Sequence, residues 1–205
     1  MCGAHLAESV RKKASKALRE QLVLPKGEHT TILVAISGGK DSAVLLERIH
    51  ENLGKRRDVT IVGGCVDEGI EGYRPPSLEC ARELCEELGI RFETVSYPEL
   101  GFKEMDEVVD KIVQLEERKA PCSYCGVFRR QGINHLANRV NADVIALGHN
   151  LDDMAQTIMM NMQNGDLERT LRLAPHTSTP LEGMVPRIVP LRWIPEQEIH
   201  LYALH

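Results

Sequence analysis

The chain has 205 residues, 42% of them hydrophobic and 27% charged, which fits one folded domain with a sizeable core and excludes a disordered, collagenous or coiled-coil chain. Its 25 basic and 30 acidic residues leave a formal charge of -5, so net charge argues against a dedicated nucleic-acid binder, although a local basic face is enough to make one. No apolar run approaches the roughly 20 residues of a membrane span, and Met1–Arg11 has no signal-peptide core, so the chain reads as cytoplasmic with no membrane partner.

His5–Leu22 has the spacing of an amphipathic helix: Val10, Ala14, Ala17, Leu18 and Gln21 share one face, and Arg11, Lys12, Lys13, Lys16 and Arg19 fall largely on the rest. Pro25, Lys26 and Gly27 break it. Thr31–Ile36 is a β-branched apolar run and predicts a buried strand. Asp41–Leu53 reads as a helix with Val44, Leu45, Ile49 and Leu53 inward, closed by Gly54. Thr60–Val66 predicts a strand, Pro76–Leu88 a helix with proline near its start and Gly89 past its end, and Arg91–Val95 a third strand. Helices over Phe102–Arg118 and Tyr124–Val140, a strand over Asp143–Leu147 and a helix over Asp152–Asn164 follow. Ile188–Leu191 is a fifth strand candidate and Pro195–Leu204 a final short helix.

Strands alternating with helices predict an α/β fold, a doubly wound parallel sheet with helices on both faces, whose ligand sits at the carboxyl ends of the strands. SGGKDS (Ser37–Ser42) follows the first strand, Cys65, Val66 and Asp67 end the second, and GHNLDD (Gly148–Asp153) follows the fourth, so three candidate site elements share one edge. Gly38 and Gly39 let the backbone turn tightly and approach a ligand, and the helix start beyond them presents unpaired N–H groups to an anion such as pyrophosphate. Lys40 adds charge, and Asp41 and Ser42 are suited to capping that helix or to holding Mg²⁺. The six residues resemble the loop of the PP-loop ATP pyrophosphatases, which split ATP into AMP and pyrophosphate and adenylate an oxygen of the substrate.

Six cysteines in a reducing compartment point to metal binding or catalysis rather than disulfides. Cys122 and Cys125 form a CxxC at a helix start, where the helix dipole and Arg129 or Arg130 favour thiolates. By spacing alone the pair suits half a zinc site, a redox disulfide or part of an iron–sulfur cluster. SGGKDS, CSYCGVFRR and GHNLDD in this order resemble the TtuA/NcsA group of tRNA 2-thiouridine synthetases, from Met1 to His205. The run CGVFRRQ is closer to the archaeal and eukaryotic members that thiolate the wobble uridine.

That resemblance implies a 4Fe-4S cluster on Cys122, Cys125 and one later cysteine. No cysteine follows Cys125; in the family the third lies just beyond a segment like Glu196–His205, so the chain reads as cut short after it, and Cys65, Cys80 and Cys85 read as core residues. Cys2 and His5 match the second half of the family's N-terminal zinc ribbon and are candidate Zn²⁺ ligands, the first half being absent. The organisation that follows is a basic helix with a zinc remnant over 1–24 and a catalytic domain over 25–205. Ala35, Val66 and Gly148 match nucleotide contacts of the family, Asp153 a carboxylate near the phosphates, and Arg129 an ATP-contacting lysine.

His149, His135 and His176 are not assigned as bases, and Asp67 and Glu68 read as solvated loop carboxylates. Met154, Met159, Met160 and Met162 read as core or interface filler. The first helix, with Arg169, Arg172, Arg187 and Arg192, offers charge to tRNA phosphates.

The activity implied is adenylation of uridine O2 by ATP, then replacement of that oxygen by sulfur. The sulfur comes from cluster-bound hydrosulfide or a persulfide on Cys122 or Cys125. For the hydrosulfide route the donor is free sulfide or a thiocarboxylated ubiquitin-like carrier, and the resemblance implies a homodimer. The alternatives are another PP-loop adenylating ligase and a non-catalytic nucleotide- or metal-binding module.

Overall fold

In the computed structural model, which describes residues 2–114, 120–171, 173, 175 and 182–205, five segments pair into one sheet. They are β1 (Thr30–Ala35), β2 (Val59–Asp67), β3 (Arg91–Ser96), β4 (Val144–Ala146) and β5 (Arg187–Ile188), in the order β3-β2-β1-β4-β5 and all parallel. Leu33 at the centre of β1 pairs with Val62 of β2 and Ile145 of β4. Ile32 and Val34 enter one core and Leu33 the other, and all three are fully buried. A strand covered on both faces has no polar side to alternate with, which is why this run reads as continuously apolar. Truncating Leu33 to alanine leaves a void worth about 2–5 kcal/mol.

Helices α1 (Gly3–Gln21), α2 (Lys40–Leu53), α3 (Arg74–Glu87) and α8 (Glu196–Ala203) contribute to the core on one face, and α4 (Met105–Gln114) and α5 (Pro121–Arg139) to that on the other. The predicted doubly wound α/β sheet is therefore the observed one. Two further helices, α6 (Leu151–Gln163) and α7 (Leu167–Leu171), lie between β4 and β5 in the chain. No helix among the described residues is long and apolar enough to cross a membrane. The buried side of α1 is the predicted one, Val10, Ala14, Ala17, Leu18 and Gln21, with Leu6 added.

Several boundaries differ from the sequence reading, each for a local reason. The last strand stops at Ile188 because Val189 bonds elsewhere: its N–H donates to Gln21 Oε1 (2.7 Å) and its carbonyl accepts from Gln21 Nε2 (3.3 Å). Helix α5 starts at Pro121, a residue suited to the first helical position, which puts Cys122 and Cys125 inside the first turn. Helix α4 starts only at Met105, since Phe102 is stacked on Phe128 at 4.3 Å; residues 115–118 of that predicted helix lie outside the described residues. Met159, Met160 and Met162 lie on the surface, so they are not core residues.

Candidate nucleotide and thiol site

The strand order reverses between β1 and β4, and the segments that follow these two strands meet there, where doubly wound sheets bind ligands. After β1 the chain turns through Gly38, whose φ of +83° and contact with the Ser77 carbonyl leave no place for a Cβ. Gly39 is the N-cap of α2 and has no side-chain cap bond, so Asp41 and Ser42 do not cap the helix as expected. Instead the Ser42 hydroxyl donates to the Gly39 carbonyl (2.8 Å) and accepts from the Ser37 N–H (3.2 Å), closing the loop on itself. The N–H groups at the start of α2 are left for an anion. Gly148, after β4, approaches the Asp41–Ser42 peptide so closely that its ideal Cβ would lie 3.4 Å from it.

Lys40 sits on the first turn of α2 and donates to Asp41 (3.1 Å) and to Glu196 (2.7 Å) at the start of α8. The Glu196 bond, more than any other, holds its ammonium above the ordinary lysine range. Asn150 caps α6 in a reciprocal box: its side chain accepts from the Asp153 N–H, and its own N–H donates to Asp153 Oδ2, both at 3.0 Å. The cap is thus Asn150, with Asp153 its partner. Asp152 accepts from the Glu196 N–H at 2.7 Å instead.

A cavity of about 470 Å³ opens beside the loop, and Ala35, Ser37, Val66, Arg129, His149 and Asp153 all line it. Although His149 faces this open space, surrounding protein bulk holds its imidazole below the usual histidine range. Arg129 and Arg187 push the same way, and Asp153 opposes them.

The charge that organises the cavity wall is Glu68, which is buried (2% exposed) and not the solvated loop carboxylate expected. One of its oxygens faces Arg74 Nε at 2.7 Å and the other Arg129 Nε at 2.9 Å. Arg74, itself buried, also donates to the Ser37 and Val66 carbonyls and contacts Cys65 Sγ at 3.1 Å. Asp67 accepts from the Gly69 N–H at 3.0 Å and only shapes the turn.

Arg129 links this wall to the thiols, its Nη2 lying 3.7 Å from Cys125 Sγ. Desolvation works against its charge, but Glu68, Cys125 and Tyr97 outweigh it and hold the guanidinium above its ordinary range. The Tyr97 hydroxyl lies 3.2 Å from the Cys125 carbonyl, to which it donates, and 3.5 Å from Cys125 Sγ. Burial foremost, and then Cys125, push this phenol up, so it stays a proton donor. Its ring packs edge-on against Phe128 at 5.5 Å, which fixes the CxxC turn to the sheet. Cys122 is exposed on the same turn.

Two soft thiols one helical turn apart beside a cavity suit part of an iron–sulfur cluster. Among the described residues no three Cys, His, Asp or Glu side chains come together to hold a metal ion, so the fit extends to two ligands. Cys65 and Cys85 are buried and Cys80 is exposed, so the first two are core residues and the third is not. Cys2 Sγ and His5 Nδ1 are 2.9 Å apart at the exposed start of α1, a pair that suits two positions of a tetrahedral zinc site.

The basic side of α1 is largely paired within the protein: Arg11 with Glu51, Lys12 with Glu8, Lys13 with Glu198 and Lys16 with Glu20. Arg169 pairs with Asp166, and Arg192 lies over the Trp193 ring. Arg172 and His176 lie outside the described residues.

A parallel sheet, a capless glycine loop at its switch point and a cavity beside that loop define an anion-binding α/β domain. The chain belongs to the PP-loop family, whose domain profile matches residues 6–204. Within it the chain is similar to the tRNA 2-thiolation protein NcsA of Haloferax volcanii, 38% identical over 99% of this chain and 65% of that one. It is also similar to cytoplasmic tRNA 2-thiolation protein 1 of Danio rerio, 40% identical over 84% of this chain and 50% of that one. Among solved structures it superposes with a TM-score of 0.84 on the U34-tRNA thiolase NcsA of Methanococcus maripaludis with its 4Fe-4S cluster, at 34% identity over 99% of this chain and 65% of that one. The chain thus spans between half and about two-thirds of the length of these relatives.

Proposed function

We propose that the protein 2-thiolates tRNA at the wobble uridine of the anticodon, forming AMP and pyrophosphate. The observation that carries this reading is the contiguity of loop, cavity and thiol pair: Glu68 joins Arg74, on the Ser37 carbonyl, to Arg129, on the Cys125 sulfur. A nucleotide activator and a sulfur-handling pair placed on one wall suit a reaction that needs both.

In this reading ATP lies with its base against Ala35 and Val66, its phosphates at Ser37–Ser42, and Gly148 as a further nucleotide contact. The α2 N–H groups and Lys40 stabilise the departing pyrophosphate. Asp41 and Asp153 supply hard oxygens for Mg²⁺. Uridine O2 attacks the α-phosphorus, forming one P–O bond as the bond to pyrophosphate breaks. A sulfur nucleophile then attacks C2, and the C–O bond breaks to release AMP. Cys122 and Cys125 would be two of the ligands of a 4Fe-4S cluster, which when bound would supply a Lewis acid for sulfur. Tyr97 and Arg129 orient the Cys125 side, and Arg129 faces the phosphates as well. Residues 1–24 are the basic helix and a zinc-site remnant, where Cys2 and His5 would hold Zn²⁺, and 25–205 are the catalytic part. The sulfur donor is free sulfide or a thiocarboxylated carrier, and the protein acts as a cytoplasmic homodimer.

The test is anaerobic incubation of the iron-reconstituted protein with ATP, Mg²⁺, sulfide and unmodified tRNA, followed by nucleoside mass spectrometry. The expected product is 2-thiouridine at the wobble position, lost in Asp41→Ala and in Cys122→Ser. A PP-loop ligase of another kind would stay active with Cys122→Ser, and a non-catalytic module would bind ATP without tRNA-dependent pyrophosphate release.

A further inference from the structure

The cavity lining carries two arginines that Glu68 does not serve. Arg187 of β5 and Arg130 of α5 both line the cavity. Arg187 Nη2 is buried and has no hydrogen-bond partner among the described residues. Among the described residues no carboxylate acts on Arg187. Among the described residues Arg130 donates to the Gly126 carbonyl of its own helix, at 2.9 Å, and to no carboxylate. Desolvation and the charge of Arg130 both act against the charge of Arg187. A guanidinium kept partly desolvated beside a like charge is costly unless an anion meets it.

We propose that Arg187 and Arg130 form a second anion subsite that takes a backbone phosphodiester of the RNA substrate, next to the nucleotide being modified. The subsite rests on the reading of the chain as acting on RNA. A base that presents O2 to the α-phosphorus must leave its stack and enter this cavity, and its own phosphate arrives with it. In the proposed reading the ATP phosphates already have the α2 N–H groups and Lys40 as partners. Arginine, with its planar fork, suits phosphate oxygens bidentately. Glu68, the buried carboxylate of the lining, is taken up by Arg74 and Arg129, which leaves Arg187 and Arg130 to meet an occupant.

The experiment measures binding of an unmodified tRNA transcript by fluorescence anisotropy over a series of salt concentrations, and Mg-ATP binding by calorimetry. It uses the full chain and its Arg187→Ala, Arg187→Lys and Arg130→Ala variants. One lost phosphate contact lowers the slope of log affinity against log salt by about 0.7 to 0.9. Each alanine variant is expected to show that loss, with tRNA affinity down roughly tenfold and ATP affinity unchanged; Arg187→Lys keeps the slope. Arg130 is exposed on α5, so its variant carries the test if Arg187→Ala does not fold. Wild-type tRNA binding with the same slope in the variants overturns the subsite and leaves the thiolation reading standing. A loss of ATP affinity with an unchanged slope reassigns the arginines to the nucleotide. Failure of the wild-type chain to bind tRNA overturns both.

Discussion

The side-chain amide of Asn150 donates to Asp41 Oδ1 at 3.2 Å, joining the helix that follows β1 to the helix that follows β4 across 109 residues of sequence. The same Asn150 is 2% exposed and caps α6 through its carbonyl oxygen, so one amide serves both motifs at once. Asp41 is therefore held from two sides, by Asn150 and by Lys40.

Asn150→Ala removes both bonds. Losing an N-cap costs about 0.5–2 kcal/mol, and a freed Asp41 no longer presents a fixed carboxylate to the phosphate loop. The expected result is an unfolding free energy from urea denaturation lowered by that amount, with a larger proportional loss of Mg-ATP affinity. Asn150→Asp keeps the capping oxygen, so stability recovers while the carboxylate beside Asp41 still weakens nucleotide binding. Equal nucleotide affinity in the wild type and both variants would show that the amide serves only the helix.

Glu68→Gln leaves the Arg74 and Arg129 guanidiniums with no carboxylate between them. Breaking a buried pair on one side costs about 3–5 kcal/mol, so a melting temperature lowered by many degrees is expected. Arg129→Ala lies on the exposed side of the same pair, and its stability cost should be much smaller. In the Glu68→Gln background, adding Arg129→Ala should restore part of the loss, because it removes one of two unpaired charges. A double-mutant cycle on urea unfolding measures the coupling, and simple additivity would argue against the shared carboxylate.

The fold was legible because its signals are local. The run Thr31–Ile36, the buried stripe Val10–Gln21 and the glycines at Ser37–Ser42 each depend on neighbours within a few residues. The positions of Ala35, Val66, Arg129 and Asp153 around one cavity follow from strand order, which alternation of elements already implied. Glu68 was missed because its partners lie 6 and 61 residues further along, and nothing near it marks a buried charge. Tyr97 likewise meets Cys125 only across the sheet face, 28 residues on, so composition and spacing carry no trace of it. The basic helix misled in the other direction: charge counting sees Lys13 but not the Glu198 that meets it from another helix.

Lys40 is shared between Asp41 and Glu196, and a bound triphosphate has to take it from Glu196. The Glu196–Lys40 pair is solvent-accessible, with side-chain exposures of 52% and 32%, so it is weak and screened by salt. Glu196→Gln should therefore raise Mg-ATP affinity severalfold at low ionic strength, with the gain shrinking as salt rises. Lys40→Ala should lower affinity in both backgrounds. A Glu196→Gln variant with unchanged or weaker binding at low salt would place Glu196 among the groups that help hold Lys40 for the nucleotide.

His149 reports on the charge balance of the cavity. The environment depresses its pKa below 6.5, chiefly by desolvation, with Arg129 and Arg187 adding to the effect and Asp153 opposing it. A histidine depressed in the folded state is protonated more readily in the unfolded chain, so its contribution to stability is present above pH 6.5 and is lost as pH falls through the lower folded value. Titration of the His149 ring by NMR should give a midpoint below the ordinary histidine value of 6.5. Arg187→Ala removes a repelling charge and should move the midpoint up; Asp153→Asn removes the attracting one and should move it further down. Phosphate binding beside Arg187 should also move it up, since an anion there favours the imidazolium. A midpoint that ignores both variants would mean that burial alone sets the imidazole, and that the arginines and Asp153 act elsewhere in the cavity.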